Sequence, residues 1–521
     1  VLYGYRVNEV PIAPLGLIKP DLRIKTLSVA VKARRVLVAV NLGCSVAGCA
    51  PPTPDIGDVV NVVSGAAKRF GGLTPYAHHG VLRELRDFTR KWLHANLRRL
   101  SDGDVPDTET WLAHTHYSET RKAELRRALE EHPVLTRRDL ICNSFLKLEY
   151  YMADEWKYPR CINARSDACK VHFGPLVHAM EKELFALRQF VKYTPVSERP
   201  NHIYDVCYAP GATYIATDYS SFEAHFIPEV ARSLEWQLYS YLLGSTQAGR
   251  RELPWIRRAL VEVNLCRFKS CVVKVPGVRM SGDMWTSLGN GFSNLMLMLF
   301  CCHKKGANVT GVVEGDDGLF RVEGPAPTVA DFAALGWTIK LETGKELGKM
   351  GFCKQYFDLD VRENVVNPAE TLCKVGWSTS RLRLGGPNIR AALLRAKADS
   401  LVAQYPNAPV VRSLAEYIFR CVGFGGTRAY DAGWSPGYHD QERPRWTAHY
   451  RPDWRNYAVV EQVFGVSVSV QRGIEQYLDS LTSLQELDHP MIAALMRPRW
   501  YEFYARFSAP YPSEFAEAFS T

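Results

Sequence analysis

The nine residues Val312-Val313-Glu314-Gly315-Asp316-Asp317-Gly318-Leu319-Phe320 constrain the fold of this chain more than any other stretch. Two apolar runs flank a tight turn of Gly and Asp, residue types that tolerate positive φ and hydrogen-bond to their own backbone, so the segment reads as a β-hairpin. Ordinary hairpins use the same turn, and its meaning depends on what the rest of the chain supplies. A third carboxylate, Asp218, ends the β-rich run Tyr214-Ile215-Ala216-Thr217-Asp218. A strand end is a rigid mount for a ligating side chain.

Carboxylates on separate strands suit magnesium, which takes hard oxygen ligands in near-octahedral geometry and shares them with phosphates and water. Manganese accepts the same oxygens. Two such ions roughly 3.5–4 Å apart stabilise both the attacking and the leaving oxygen of an in-line displacement at phosphorus, which makes phosphoryl transfer the leading chemistry. Between the carboxylates, Ser281-Gly282 forms a loop that opens a long predicted helix running into the apolar stretch 295–302. Thr286, Asn290 and Asn294 recur every four residues there, so they form one polar stripe beside Met284, Leu288, Leu295 and Leu299. Polar groups on a covered helix face need partners, and a nucleotide sugar is one candidate.

Taken in order, Asp218 with Glu223, Ser281-Gly282 with Thr286 and Asn290, and Gly315-Asp316-Asp317 resemble palm motifs A, B and C of the RNA-dependent RNA polymerases of positive-strand RNA viruses, with a tombusvirus- or nodavirus-like flavour. Upstream, Phe145-Leu146-Lys147-Leu148-Glu149 and the run from Lys157 to Arg165 look like the basic motif F of that family. The resemblance implies nucleotide binding by Lys147, Lys157, Arg160, Arg165, Glu223, Ser281, Gly282, Thr286 and Asn290, and metal binding by Asp218, Asp316 and Asp317. Arg and Lys at the motif F positions can neutralise a triphosphate, Arg through two parallel hydrogen bonds. Gly336-Trp337-Thr338-Ile339-Lys340 resembles motif D, which implies Lys340 as general acid for the departing pyrophosphate; Lys345 and Lys349 stand close enough in sequence to compete. Phe352-Cys353-Lys354 resembles motif E, the hairpin that grips the primer. One departure is Glu223, where the family usually has Asp to read the ribose 2′-hydroxyl; the extra methylene means that the hydrogen bond must be re-aimed.

The implied fold is α+β, a right-handed fingers–palm–thumb polymerase whose antiparallel palm sheet is flanked by helices. Residues 1–140 are expected to brace fingers and thumb, 141–212 to form fingers with motif F, 213–228 the palm segment of motif A, 229–275 a fingers insertion, 276–360 the palm with motifs B to E, and 361–521 the thumb and C-terminal region. The implied cofactor is Mg2+, with Mn2+ as the alternative. The implied partners are an RNA template and product, ribonucleoside triphosphates, and viral or host replication proteins, in host cytoplasm at membrane-associated replication complexes. A reverse transcriptase shares the palm carboxylates but normally carries an aromatic residue before its Asp pair and a bulky gate against ribose; here Glu314-Gly315 precedes the pair. A non-enzymatic RNA-binding scaffold on a degenerate palm is expected to have lost a catalytic carboxylate, and all three are present.

At 521 residues the chain is long enough for several subdomains around one cleft, and a formal charge of +9 suits a nucleic-acid channel. Thirteen cysteines without a CxxC pair are expected to be reduced, buried thiols. Residues 36–50 follow Lys32, Arg34 and Arg35 like the apolar part of a signal peptide, yet the stretch is too short to span a bilayer and is interrupted by Asn41, so a buried strand and loop is expected. Val1 is expected to mark a processed, read-through or trimmed start. Helices are predicted over 81–100, 389–404 and 410–422. The Gly- and Pro-rich segment 424–457 carries Trp434, Tyr438, Trp446, Tyr450 and Trp454, expected chiefly to pack on the thumb, with stacking of an initiating nucleotide as the functional alternative.

Overall fold

The computed structural model of the protein describes residues 1–27, 35–424 and 452–511. Its centre is a four-stranded antiparallel sheet in the order Ile339–Gly344, Thr213–Tyr219, Asp317–Glu323, Asn308–Glu314. The last two strands form the predicted hairpin, with Asp317 opposite Glu314 and Gly315-Asp316 as the two-residue turn. Gly315 takes φ +57° at the first turn position, a left-handed conformation that glycine adopts without penalty.

The hairpin strands are apolar at consecutive positions because both faces of the sheet are covered. Val313 and Phe320 point into a large core shared with Phe292, Leu295 and Met296 of the long helix Thr286–Lys305. Val312 and Leu319 point the other way, into a core with Val191, Ile203, Leu347 and Met350. A strand buried on both faces reads as a continuous apolar run rather than an alternation. The long helix stops at Gly306, left-handed at φ +69°, after three basic residues in its last turn that complement the negative end of the helix dipole.

A five-stranded sheet lies beside this centre, ordered Arg23–Thr26, Cys271–Pro276, Val263–Arg267, Cys142–Leu146, Cys161–Ala164, with one parallel pairing between Cys142–Leu146 and Val263–Arg267. The helix Val59–Gly71 covers it with Val62, Ala66 and Phe70. A small three-stranded sheet joins Leu2–Tyr3, Leu37–Asn41 and Trp377–Ser378, and Leu2 also bridges to Ser508. From Pro387 onward the described chain is helical, packed on Leu394, Leu414, Ile418, Ile474, Leu478 and Trp500.

The predicted helices are found at His79–Asn96, Pro387–Gln404 and Val411–Val422. Residues 36–50 contain the strand Leu37–Asn41, whose Val38, Ala39 and Val40 are fully buried. All thirteen cysteines are free thiols, buried except for the half-buried Cys353 and Cys421. Lys32, Arg34, Trp434, Tyr438, Trp446 and Tyr450 lie outside the described residues. No helix among the described residues is long and apolar enough to cross a membrane.

Candidate active site

Strand register assembles the acidic residues. Gly318 faces Thr217 and Leu319 faces Ala216, so continuing the ladder one step sets Asp317 across from Asp218. On its other side Asp218 faces Lys340, and Asp317 faces Glu314. Directly opposite residues share a face, so Lys340, Asp218, Asp317 and Glu314 form one row across the end of the sheet, with Asp316 at the turn beside it. Asp218, Asp316, Asp317 and Lys340 are all exposed.

The turn is fastened by Asn294 of the long helix. Its amide nitrogen donates to the carbonyl of Asp316 at 3.0 Å and to that of Gly315 at 3.4 Å, while its oxygen accepts from the Tyr219 hydroxyl at 3.3 Å. Asn294 thereby ties the hairpin turn to the strand that carries Asp218.

Water reaches the carboxylates of Asp316 and Asp317 from the cleft, yet protein crowds them on the other sides. Burial raises the Asp317 carboxyl to about 6, and the charge of Asp316, followed by those of Asp218 and Glu314, adds to the rise; a hydrogen bond from the Cys353 thiol offsets part of it. Asp316 is also raised, by burial first and then by Glu223, against the opposing charges of Arg160 and Arg69. Like charges held this close disfavour their own ionisation and favour a cation between them. Glu314 is relieved by Lys192 at 3.4 Å and Arg199 at 3.5 Å. Among the described residues no three His, Cys, Asp or Glu side chains enclose a metal by themselves. Hard oxygens on adjacent strand ends, open to water, fit instead a divalent cation that completes its shell with substrate phosphates and water.

The glycine at 282 is required by close packing. At φ +132° its missing Cβ would lie 2.6 Å from the carbonyl oxygen of Asn163, on a strand of the neighbouring sheet. The Asn163 N–H donates to the Ser281 carbonyl at 2.7 Å, locking this loop to the basic strand pair. The Ser281 hydroxyl donates to Glu223 at 3.3 Å. Thr286 turns back on its own loop, its hydroxyl donating to the Asp283 carbonyl at 2.7 Å, so it shapes the loop. Asn290 is buried and its amide oxygen has no hydrogen-bond partner, which leaves an acceptor to be met by a ligand or water.

The basic residues divide. Lys147 and Arg160 both pair with Glu149, at 3.1 Å and through two bonds of 2.6 and 2.8 Å. Arg160 is felt by both Glu223 and Asp316, which places it toward the acidic row. Lys157 pairs with exposed Glu155 at 2.7 Å. Arg165, expected to grip a triphosphate, is engaged within the protein: its side chain is only 4% exposed, grips Asp283 at 2.6 and 3.1 Å, and donates further to Leu140 and Asn264. Four of the five guanidinium N–H donors are engaged within the protein, and the side chain is buried, which leaves little of it to meet a phosphate. Register separates the lysines: Lys340 shares the row with Asp218, whereas Lys345 donates to Thr213 at the far end of that strand and Lys349 pairs with Glu346. Residues Phe352–Lys354 form a 3-10 turn rather than the expected hairpin, with Cys353 and Lys354 at φ +51° and +60°. This turn brings the Cys353 thiol to Asp317, and Phe352 anchors it in the core beneath.

Three residues of the site were not read from the sequence: Glu149, which organises Lys147 and Arg160; Asn294, which was seen only as part of a stripe; and Arg69, 3.6 Å from Glu223. Arg69 comes from the helix Val59–Gly71, 154 positions before its partner, and carries no local signal.

A family model described as viral RNA-dependent RNA polymerase matches residues 168–372. The chain is similar there to the viral RNA-dependent RNA polymerases. Its enzyme class is therefore RNA-directed RNA polymerase, a nucleotidyltransferase. The matched region holds Asp218, Asp316, Asp317, Lys340 and the Ser281-Gly282 loop, while Lys147, Arg160 and Arg69 lie before it. No curated protein matches the chain.

Proposed function

We propose that this polymerase replicates and transcribes the genome of a positive-strand RNA virus of the tombusvirus or nodavirus-like kind, through nucleotidyl transfer assisted by two metal ions. The observation that carries the reading is the row Lys340, Asp218, Asp317 with Asp316 at its edge, which brings three carboxylates together at the end of the sheet. In this reading the four-stranded sheet is the palm of a fingers–palm–thumb enzyme, the five-stranded sheet belongs to the fingers, and the helical region after residue 361 is the thumb.

Asp218 and Asp316 are the residues to hold the divalent cations, Mg2+ with Mn2+ as the alternative, and Asp317 assists. When bound, these ions supply charge stabilisation for the attacking 3′-hydroxyl and the leaving pyrophosphate. Arg160 and Lys147 lie where they neutralise the incoming triphosphate, Glu149 holding both in place in the free enzyme. Lys340, beside Asp218, is placed to deliver a proton to the leaving group. Asn290 offers its free amide oxygen to the sugar, and Glu223, steadied by Ser281, reads the 2′-hydroxyl, the group that separates RNA from DNA at such a site. Ser281 and Gly282 form the loop that bears on the template, and the Phe352–Lys354 turn bears on the primer end. Residence in cytoplasmic, membrane-associated replication complexes, with viral or host partners, is part of the proposal.

The test is incorporation of labelled ribonucleotides against deoxyribonucleotides on a defined RNA template with magnesium. Ribonucleotide products dependent on the template are expected. No product from folded, RNA-binding protein, with primer and manganese also supplied, would overturn the proposal.

A further inference from the structure

The loop that follows Asp218 bends sharply. Ser221 is left-handed at φ +53°, and residues Phe222–His225 form a single 3-10 turn that carries Glu223. Four contacts hold this turn in place. Glu223 O accepts from the Arg279 N–H at 3.1 Å; His225 donates to the Ser221 carbonyl at 3.1 Å and accepts from the Thr338 N–H at 3.0 Å; and the His225 ring stacks on Trp337 at 5.0 Å. The histidine is held neutral, its pKa lowered to about 4 chiefly by burial, so these two hydrogen bonds persist across the neutral range.

Two further contacts come from the far N-terminal region. The Lys19 ammonium donates to the carbonyl of Ala224, next to Glu223, and at 3.4 Å to that of Phe70, at the end of the helix Val59–Gly71. From that same helix end, Arg69 approaches the Glu223 carboxylate at 3.6 Å. Among the described residues Lys19 has no carboxylate partner, so its charge is directed at backbone carbonyls, an arrangement that orients the chain carrying them. A glutamate has one more rotatable bond than the aspartate usual at such a position, and fixing that bond costs conformational entropy. Arg69 on one oxygen and Ser281 on the other restrict the same torsion.

We propose that Lys19 and Arg69 form a two-point clamp that aims Glu223 at the sugar of the incoming nucleotide, so that ribose selection in this polymerase depends on its N-terminal region. The inference rests on the reading of Glu223 as the group that senses the 2′-hydroxyl. Lys19 and Arg69 are positioning residues: neither needs to touch the nucleotide.

The test measures single-nucleotide incorporation from a ribonucleoside and a 2′-deoxyribonucleoside triphosphate on one RNA primer–template, in the full chain and in Glu223→Ala, Arg69→Met, Arg69→Lys and Lys19→Met. Glu223→Ala is expected to collapse the ratio of the two kcat/KM values. Arg69→Met is expected to lower that ratio about tenfold and Lys19→Met about threefold, through a higher KM for the ribonucleotide with deoxyribonucleotide kinetics little changed. Arg69→Lys, which keeps the charge, should recover part of the loss and stays informative if Arg69→Met fails to fold. An unchanged ratio in both clamp variants beside a collapsed one in Glu223→Ala overturns the clamp and leaves the sugar reading standing. An equal fall for both sugars in Arg69→Met overturns it too, because that is the signature of a triphosphate contact. An unchanged ratio in Glu223→Ala overturns both readings together.

Discussion

Two charged clusters lie at the two ends of the stretch from residue 283 to residue 317, and they are built on opposite principles. Arg165 and Asp283 form a pair with side chains 4% and 3% exposed, joined by two hydrogen bonds, and the guanidinium donates further to Leu140 and Asn264. Burial pushes the Asp283 carboxyl up, the guanidinium draws it back down, and the arginine stays charged. Asp218, Asp316 and Asp317 are the reverse: exposed, of one sign, and partnered chiefly by each other. A saturated pair is architecture, because nothing can bind to it without first breaking it. A like-charged cluster that fold register forces together is a receptor, because a cation lowers its energy at once. The polar contents of this cleft sort by whether the protein alone completes them.

The largest effect expected from breaking this contrast is on the unsaturated side. Replacing both turn aspartates, Asp316→Asn with Asp317→Asn, removes charge that the chemistry needs and repulsion that the fold tolerates. Incorporation should fall by roughly a thousandfold or more, equivalent to about 4 kcal/mol of transition-state stabilisation, while the metal-free melting temperature holds or rises. A double variant that melts lower and still polymerises would place these residues with the architecture.

On the saturated side the order is inverted. Asp283→Ala leaves Arg165 buried without its partner, and loss of about 3–5 kcal/mol of folding stability is expected by denaturant titration. A variant of unchanged stability with a raised KM for nucleotide would return Arg165 to the triphosphate path.

Lys340 sharpens the comparison, as the one cation in the acidic row. Lys340→Ala is expected to lower the single-turnover rate by about a hundredfold, the usual range for losing a general acid, with Lys345→Ala close to wild type. Equal effects at the two positions would remove the argument from register.

The smallest signal is a proton. A carboxyl raised in the folded state resists ionisation there, so Asp317 favours the metal-free fold in its protonated form and loses that advantage as pH rises through about 6. Divalent cation binding should therefore release up to about half a proton from Asp317 near pH 6 and almost none by pH 8, read by calorimetry in buffers of different ionisation enthalpy. Equal release at both values would mean that crowding does not raise this group.

What the sequence made legible is what is local. The turn at Gly315-Asp316, the helix that begins at Thr286 and the apolar strands around the turn each carry their signal within a few residues, and the polymerase domain match covers the same span. The engagement of Arg165 was not legible because Asp283, which it grips, lies 118 positions away. Arg160 and Lys147 carry the same basic signal in sequence, yet their carboxylate, Glu149, is partly exposed. The Phe352–Lys354 turn was expected as a hairpin, and two consecutive positive φ values at non-glycine residues are a conformation that composition does not announce. The helix expected over 81–100 was found with its start earlier and its end at Asn96, as helix ends depend on caps more than on periodicity.

The small sheet has a consequence for how the protein is made. Leu2 pairs with Ala39 and bridges to Ser508, the Ala509 N–H donates to the Val1 carbonyl at 3.0 Å, and the middle strand of that sheet pairs with Trp377. A ribosome adds residues from the N-terminal to the C-terminal side, so the strand Leu2–Tyr3 waits for Ser508 until some five hundred more residues have been added. Until then that strand lacks one of the two neighbours it has in the folded protein, so the small sheet is closed only after the helical region has been made.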